Sequence, residues 1–173
     1  NRWLASGPLV KEFEEKVAKL FGKKFGIAVN SGSSANLIAI QSLHLPKGAE
    51  VITPACTFST TVSSIIHNNL VPVFIDSVIG RYTIDEDLIE KAITKKTKII
   101  MVPQLIGGVC DMPRLREIAN RHKLILIDDS CDTFAPYFNS KTAASYSDLT
   151  TTSFYGSHII TALGFGGMVL VDD

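Results

Sequence analysis

Short runs of consecutive apolar residues alternate along the chain with segments whose apolar positions recur every three or four residues. Val10, Phe13, Val17, Leu20 and Phe21 share one face of a helix that Gly22 ends. "FGIAVN" reads as a strand, residues 33–43 as a helix and "LPKG" as a turn. "EVITP" is a strand closed by Pro54. A helix is predicted over residues 58–67, and "VPVFID" is the next strand. "TIDEDLIEKAI" predicts a helix whose acidic first turn suits the helix dipole. "KIIMVP", "MPRLREIANRH" and "KLILIDD" continue as strand, helix and strand, and two further strands fall around residues 151–154 and 168–171. Strands that are apolar on both faces, alternating with helices, predict an α/β fold: a mostly parallel sheet between helices, as one domain over residues 1–173. Ligands of such sheets bind beyond the carboxyl ends of the strands. The residues that follow each strand therefore carry the functional information.

Composition narrows the classes. The 173 residues are 46% hydrophobic and 20% charged, enough for one domain with a core. Lys plus Arg and Asp plus Glu are 17 each, so no net field favours nucleic acid or an anionic membrane. No apolar run approaches the ~20 residues of a membrane span, and no signal peptide is evident. Three cysteines without a CxxC pair, Cys56, Cys110 and Cys131, argue against a disulfide framework or a zinc site. They read as half-buried thiols in a reducing cytoplasm. The opening "NRWLASGPLV" lacks an initiator Met and the chain stops in "GGMVLVDD", so a piece of a larger protein, truncated at both ends, is expected.

Several strand ends carry chemistry. "SGSSAN", Ser31 to Asn36, opens a helix after "FGIAVN" with glycine, free N–H groups and hydroxyls, which suits a phosphate and equally suits a plain capped helix. It is neither a Walker loop nor GxGxxG. Phe58 follows "EVITP" and can stack on a flat ring, although a lone Phe more often belongs to a core. Asp128, Asp129 and Asp132 follow "LILI". Carboxylates at the end of a hydrophobic strand need partners: a protonated ring nitrogen, a metal or a helix to cap. No neighbouring His or Glu completes a metal set. Ser153, Phe154, His158 and the pair Gly166-Gly167 follow the next strand, and no lysine occurs from Thr142 to Asp173.

The blocks "GPLVKEFEEKVAKLFG", "NSGSSAN", "GAEVITPACTFSTT", "LVPVFIDS", "TIDEDLIEKAITKKTKIIMVPQLIGG", "LILIDDSCD" and "SFYGSHIITALGFGG" occur in the order seen in the DegT/DnrJ/EryC1/StrS sugar aminotransferases, which the chain resembles over its whole length. The resemblance implies the large cofactor domain of the fold-type I aminotransferase architecture, without the smaller C-terminal domain, and pyridoxal phosphate or pyridoxamine phosphate as cofactor. Ser33, Ser34 and Ser153 match phosphate donors, Phe58 the ring-stacking aromatic, Asp129 the partner of the ring nitrogen, and Asp132 the residue beside the ring hydroxyl. His158 falls on the Schiff-base lysine. Phe165 replaces the carboxylate of the usual Gly-Glu-Gly-Gly.

An imidazole cannot form the imine that tethers the cofactor. A histidine here resembles the sugar 3-dehydratase branch, in which it serves as base; the GDP-4-keto-6-deoxy-mannose and CDP-4-keto-6-deoxy-glucose enzymes are both similar. This implies a nucleotide-linked 4-keto-6-deoxy sugar as substrate, within deoxysugar biosynthesis of the lipopolysaccharide O-antigen type. It also implies a cytoplasmic homodimer whose site the partner completes. The rival readings are an inactive aminotransferase homologue that lost its lysine, and an α/β interaction domain with no cofactor. The other histidines, His44, His67 and His122, sit at helix ends and have no chemistry assigned.

Overall fold

A computed structural model of the chain describes residues 6–173. The elements follow the alternation of the sequence: α1 (Pro8–Phe21), β1 (Phe25–Val29), α2 (Gly32–Gln41), β2 (Glu50–Pro54), α3 (Ser59–His67), β3 (Val71–Ile75), α4 (Glu86–Ala92), β4 (Thr97–Pro103), α5 (Met112–His122), β5 (Ile125–Ser130), β6 (Tyr137–Phe138), β7 (Lys141–Thr142), β8 (Leu149–Ser153) and β9 (Gly167–Val171). Gly22 ends α1 in the left-handed region at φ 73°, and the N–H groups of Gly22 and Lys23 close back on the last turn. α4 is shorter than its pattern predicts. Asp85 caps it by accepting from Asp87 N–H, and Ile84 is drawn instead into a β-bridge with Ser77. The β6–β7 hairpin has no periodic signal, being two residues on each side.

Seven strands form one sheet in the order β1-β9-β8-β5-β4-β2-β3. β3, β2, β4, β5 and β8 pair in parallel, while β9 runs antiparallel to both β8 and β1. Six strands thus point one way and β9 alone points back. The mostly parallel sheet predicted from the apolar runs is the one observed.

Helices cover both faces, as strands buried on two sides require. On one face, Ile52, Ile100, Val102 and Leu126 pack against Ile89 of α4 and Leu115 and Ile118 of α5. On the other, Val51, Ile99, Met101 and Ile127 pack against Ala35, Ala39 and Ile40 of α2 and Ile65 of α3. α1 sits on the first face toward the β9 side, where Phe21, Met168, Leu170 and Phe154 meet. Phe154 lies 5.0 Å from Phe13 and 6.1 Å from Phe134. This ring cluster holds the end of β8 from below.

The strand alternation separates the two consecutive aspartates. Asp128 turns to the α5 face and is fully buried, accepting from Gln104 Nε2 at 2.9 Å and Ser130 Oγ at 3.0 Å. Asp129 turns to the α2 and α3 face. Burial, with a smaller contribution from Asp129, pushes the Asp128 carboxyl up from 3.8 to about 6. The folded chain then holds this proton more tightly than the unfolded chain does. Stability attributable to Asp128 is present below 3.8 and is lost as pH rises through about 6. A shift of that size corresponds to roughly 3 kcal/mol. Urea unfolding across this range is expected to show stability falling with pH, and Asp128→Asn is expected to flatten the slope and to be the more stable form at neutral pH.

Candidate active site

Because six strands share a direction, their carboxyl ends open on one edge of the sheet. The segments leaving them surround a crevice of about 700 Å3. β1 delivers Ser31, Gly32 and Ser33; β2 delivers Phe58, Thr60 and Thr61; β4 delivers Gln104 and Leu105; β5 delivers Asp129, Cys131 and Asp132; β8 delivers Ser153, Tyr155, Ser157 and His158. Phe165 comes from the approach to β9, whose reversed direction brings its first residue to this edge.

The N-termini of α2 and α3 both reach the crevice. Ser31 caps α2 by accepting from Ser34 N–H at 3.1 Å. Ser33 Oγ donates to Thr60 Oγ1 at 3.0 Å, linking the first turns of the two helices. Two helix N-termini with hydroxyls between them form a site for an anion. The backbone is kept bare here. A Cβ on Gly167 would stand 2.3 Å from the Ser31 carbonyl carbon, and one on Gly32 would stand 2.7 Å from Ser153 Cβ. Ser33 and Ser153 line the crevice. Ser34 does not, and its N–H is taken by the cap.

Phe58 is 62% exposed, so it is not a core residue; its ring lies along the crevice at the start of α3. Asp129, 4% exposed, is held by Asn36 Nδ2 at 2.8 Å and Thr61 Oγ1 at 2.9 Å. Thr151 Oγ1 on β8 donates to Asn36 Oδ1 at 2.6 Å. The strand-end aspartates therefore find side-chain partners, and neither caps a helix. Among the described residues no group of three or more His, Cys, Asp or Glu could hold a metal ion.

His158 sits in the turn after Tyr155, its N–H donating to the Tyr155 carbonyl and its ring edge-on to the tyrosine at 5.8 Å. His158 Nε2 faces Asp132 Oδ1 at 3.6 Å, and Nδ1 is enclosed without a hydrogen-bond partner. Neither nitrogen is committed to a close bond, which leaves the ring able to exchange a proton. Burial is the main cause that raises the Asp132 carboxyl; His158 pulls it down and Asp129 pushes it up. No lysine lines the crevice among the described residues. Burial, then the Asp129 charge, raises the Cys131 thiol well above its ordinary value, so it is a neutral wall group rather than a nucleophile. The expectation of three half-buried cysteines is corrected: Cys56 is exposed and Cys110 buried, because one follows a strand end on the surface and the other packs under α5.

Sequence reasoning missed Asn36 as the Asp129 partner, along with Thr61 and Thr151. The signal was present in α2, where Asn36 occupies a core-facing position between Ala35 and Ala39. A polar residue there demands a buried partner. Tyr155 and Gln104 carried no such mark.

A doubly covered, mostly parallel sheet of this kind matches solved proteins of the pyridoxal phosphate-dependent aminotransferase fold. The chain belongs to the DegT/DnrJ/EryC1/StrS aminotransferase family, whose model matches residues 1–173. It is 41% identical to a dTDP-4-dehydro-2,6-dideoxy-D-glucose 3-dehydratase of Saccharopolyspora spinosa, over 96% of this chain and 38% of that protein. The Escherichia coli GDP-4-keto-6-deoxy-D-mannose-3-dehydratase, solved with bound hydrated pyridoxal phosphate, superposes with a TM-score of 0.92 at 34% identity, covering 98% of this chain and 45% of that one. NtdA of Bacillus subtilis, solved with pyridoxamine phosphate, gives a TM-score of 0.91 at 36% identity, covering 98% and 38%. The chain thus spans between about two fifths and one half of the length of the curated relatives it matches.

Gly167→Ala tests the cradle. The added carbon forces the Ser31–Gly32 backbone away, so affinity for a phosphate anion is expected to fall at least about tenfold, with a stability loss of about 1–3 kcal/mol. Isothermal titration and thermal melting measure the two effects, and an unchanged affinity would exclude this geometry for the cradle.

Proposed function

We propose that the crevice binds pyridoxamine phosphate and that the protein catalyses 3-dehydration of a nucleotide-linked 4-keto-6-deoxy sugar. The observation that carries this is the lining itself: in a family of aminotransferases, the crevice presents His158 and no lysine. The residues suit the cofactor. Gly32 and Gly167 leave room that a Cβ would fill, and Asp129 has acceptor capacity to spare. Ser31, Ser33 and Ser153 would hold the phosphate at the two helix N-termini, Phe58 would cover one face of the ring, and Asp129 would accept from the ring N–H. When bound, the cofactor supplies an amine for the sugar ketone and a ring that takes up electrons.

The work left to the chain is proton transfer. An imidazole titrates near neutral pH, so it can take a proton and give it back, whereas an unperturbed lysine stays charged. His158 Nε2, on the Asp132 side, takes the proton from carbon and returns it to the departing sugar hydroxyl. Asp132 faces the imidazolium that exists between these steps and favours it electrostatically. The dehydratase relatives and neighbours support this reading over a homologue that merely lost its lysine.

The wider setting follows from the same reading. The enzyme would serve deoxysugar biosynthesis of the lipopolysaccharide type, acting on cytoplasmic nucleotide sugars; no helix among the described residues is long and apolar enough to cross a membrane. The partner is a second copy of the chain, and Ile106, Ile159 and Leu163, all exposed near the crevice, are apolar surface for it to cover.

His158→Asn is expected to bind pyridoxamine phosphate within a few-fold of the unaltered protein and to lose dehydration by at least about a hundredfold. Binding is read by absorbance and turnover by loss of the sugar substrate. Undiminished turnover would remove His158 from the mechanism. Cofactor binding without dehydration by the unaltered protein would favour the inactive homologue.

A further inference from the structure

The hydrogen bonds to Asp129 are unevenly divided between its two oxygens. Oδ2 accepts from Asn36 Nδ2 at 2.8 Å and from Thr61 Oγ1 at 2.9 Å. Oδ1 has only the Cys131 N–H at 3.3 Å and Thr151 Oγ1 at 3.5 Å. A carboxylate oxygen has two lone-pair sites, so Oδ2 is filled by short bonds and Oδ1 retains acceptor capacity. The asymmetry is fixed by a third residue. Thr151 has one proton to give and places it on Asn36 Oδ1 at 2.6 Å, which turns the amide nitrogen of Asn36 toward Asp129. Asn36, Thr61 and Thr151 come from α2, α3 and β8 and are all buried, so the arrangement is held by the packing of three separate elements.

We infer that Asn36 and Thr61 are positioning residues that select Asp129 Oδ1 as the oxygen receiving the cofactor's ring N–H and keep the shared proton on the ring nitrogen. This rests on the cofactor reading proposed above. Two donors on Oδ2 satisfy the buried carboxylate in its charged form. Removing one leaves that charge under-satisfied and draws the proton from the ring toward Asp129. The ring then loses the positive charge that makes it an acceptor of electrons. Neither residue needs to touch the reacting atoms to have this effect.

The test uses the protein loaded with pyridoxamine phosphate labelled at the ring nitrogen and read by nitrogen NMR. The unaltered protein is expected to give the signal of a protonated pyridine. Thr61→Val, nearly isosteric, and Asn36→Ala should each move the signal toward that of the unprotonated ring and lower kcat about tenfold to a hundredfold, with KM for the sugar changed far less. Thr61→Ser, which keeps the hydroxyl, should restore the protonated signal. Folded Thr61→Val and Asn36→Ala proteins that keep the unaltered signal would overturn the inference. Should Asn36→Ala fail to fold, the Thr61→Val and Thr61→Ser pair decides it. If the unaltered protein takes up no cofactor, the reading above fails and this inference falls with it, an outcome distinct from normal uptake with an unmoved signal.

Discussion

The buried carboxylate of Asp129 is the constraint around which the crevice is organised. A carboxyl at the end of a central strand, almost out of contact with water, is tolerable only with donors in reach. Those donors come from α2 and α3, and Thr151 of β8 orients the first of them, so the demand of a single side chain ties the two helices on one face to the strand beside it. The same tie fixes the helix N-termini at the crevice mouth. The anion site and the proposed acceptor for a ring nitrogen are consequently two results of one packing arrangement. Asp128 occupies the opposite face with its own partners, and the pleat keeps two adjacent carboxyls from facing each other.

Much of this was legible in the sequence, for physical reasons. Continuous apolar strands and amphipathic helices such as α1 and α5 encode burial directly, so the doubly covered sheet followed. The position of the crevice followed too, because a parallel sheet opens it at the strand ends. What stayed hidden depended on contacts between distant residues. Nothing local in "TTVSSIIH" marks Thr61 as a donor to Asp129, 68 positions away. The reversal of β9 was equally silent, since a short apolar strand reads the same in either direction. The shortening of α4 turned on a competition between a cap at Asp85 and a bridge at Ile84, which periodicity does not resolve.

The turn carrying His158 is framed by aromatic rings. The surrounding aromatic rings hold it independently of what stands at its centre: Phe154 is anchored beneath by Phe13 and Phe134, while Tyr155 contacts His158 and Phe165 above. A lysine or a histidine can occupy such a turn with little effect on the core. Phe165 is 74% exposed on the crevice wall, so it shapes what the cavity presents rather than how the domain is packed.

The insertion of β9 between β8 and β1 has a consequence for biosynthesis. β1, at residues 25–29, has no partner in the sheet except β9, at residues 167–171. A chain emerging from the ribosome can assemble β3, β2, β4, β5 and β8 progressively, but β1 must wait until β9 has been made. Its apolar face and the N-terminal turn of α2 stay unsecured over that interval, open to wrong pairing. Closing contacts so far apart in sequence is also slow. The anion cradle, which needs Gly167 against Ser31, therefore forms only after β9 has paired with β1.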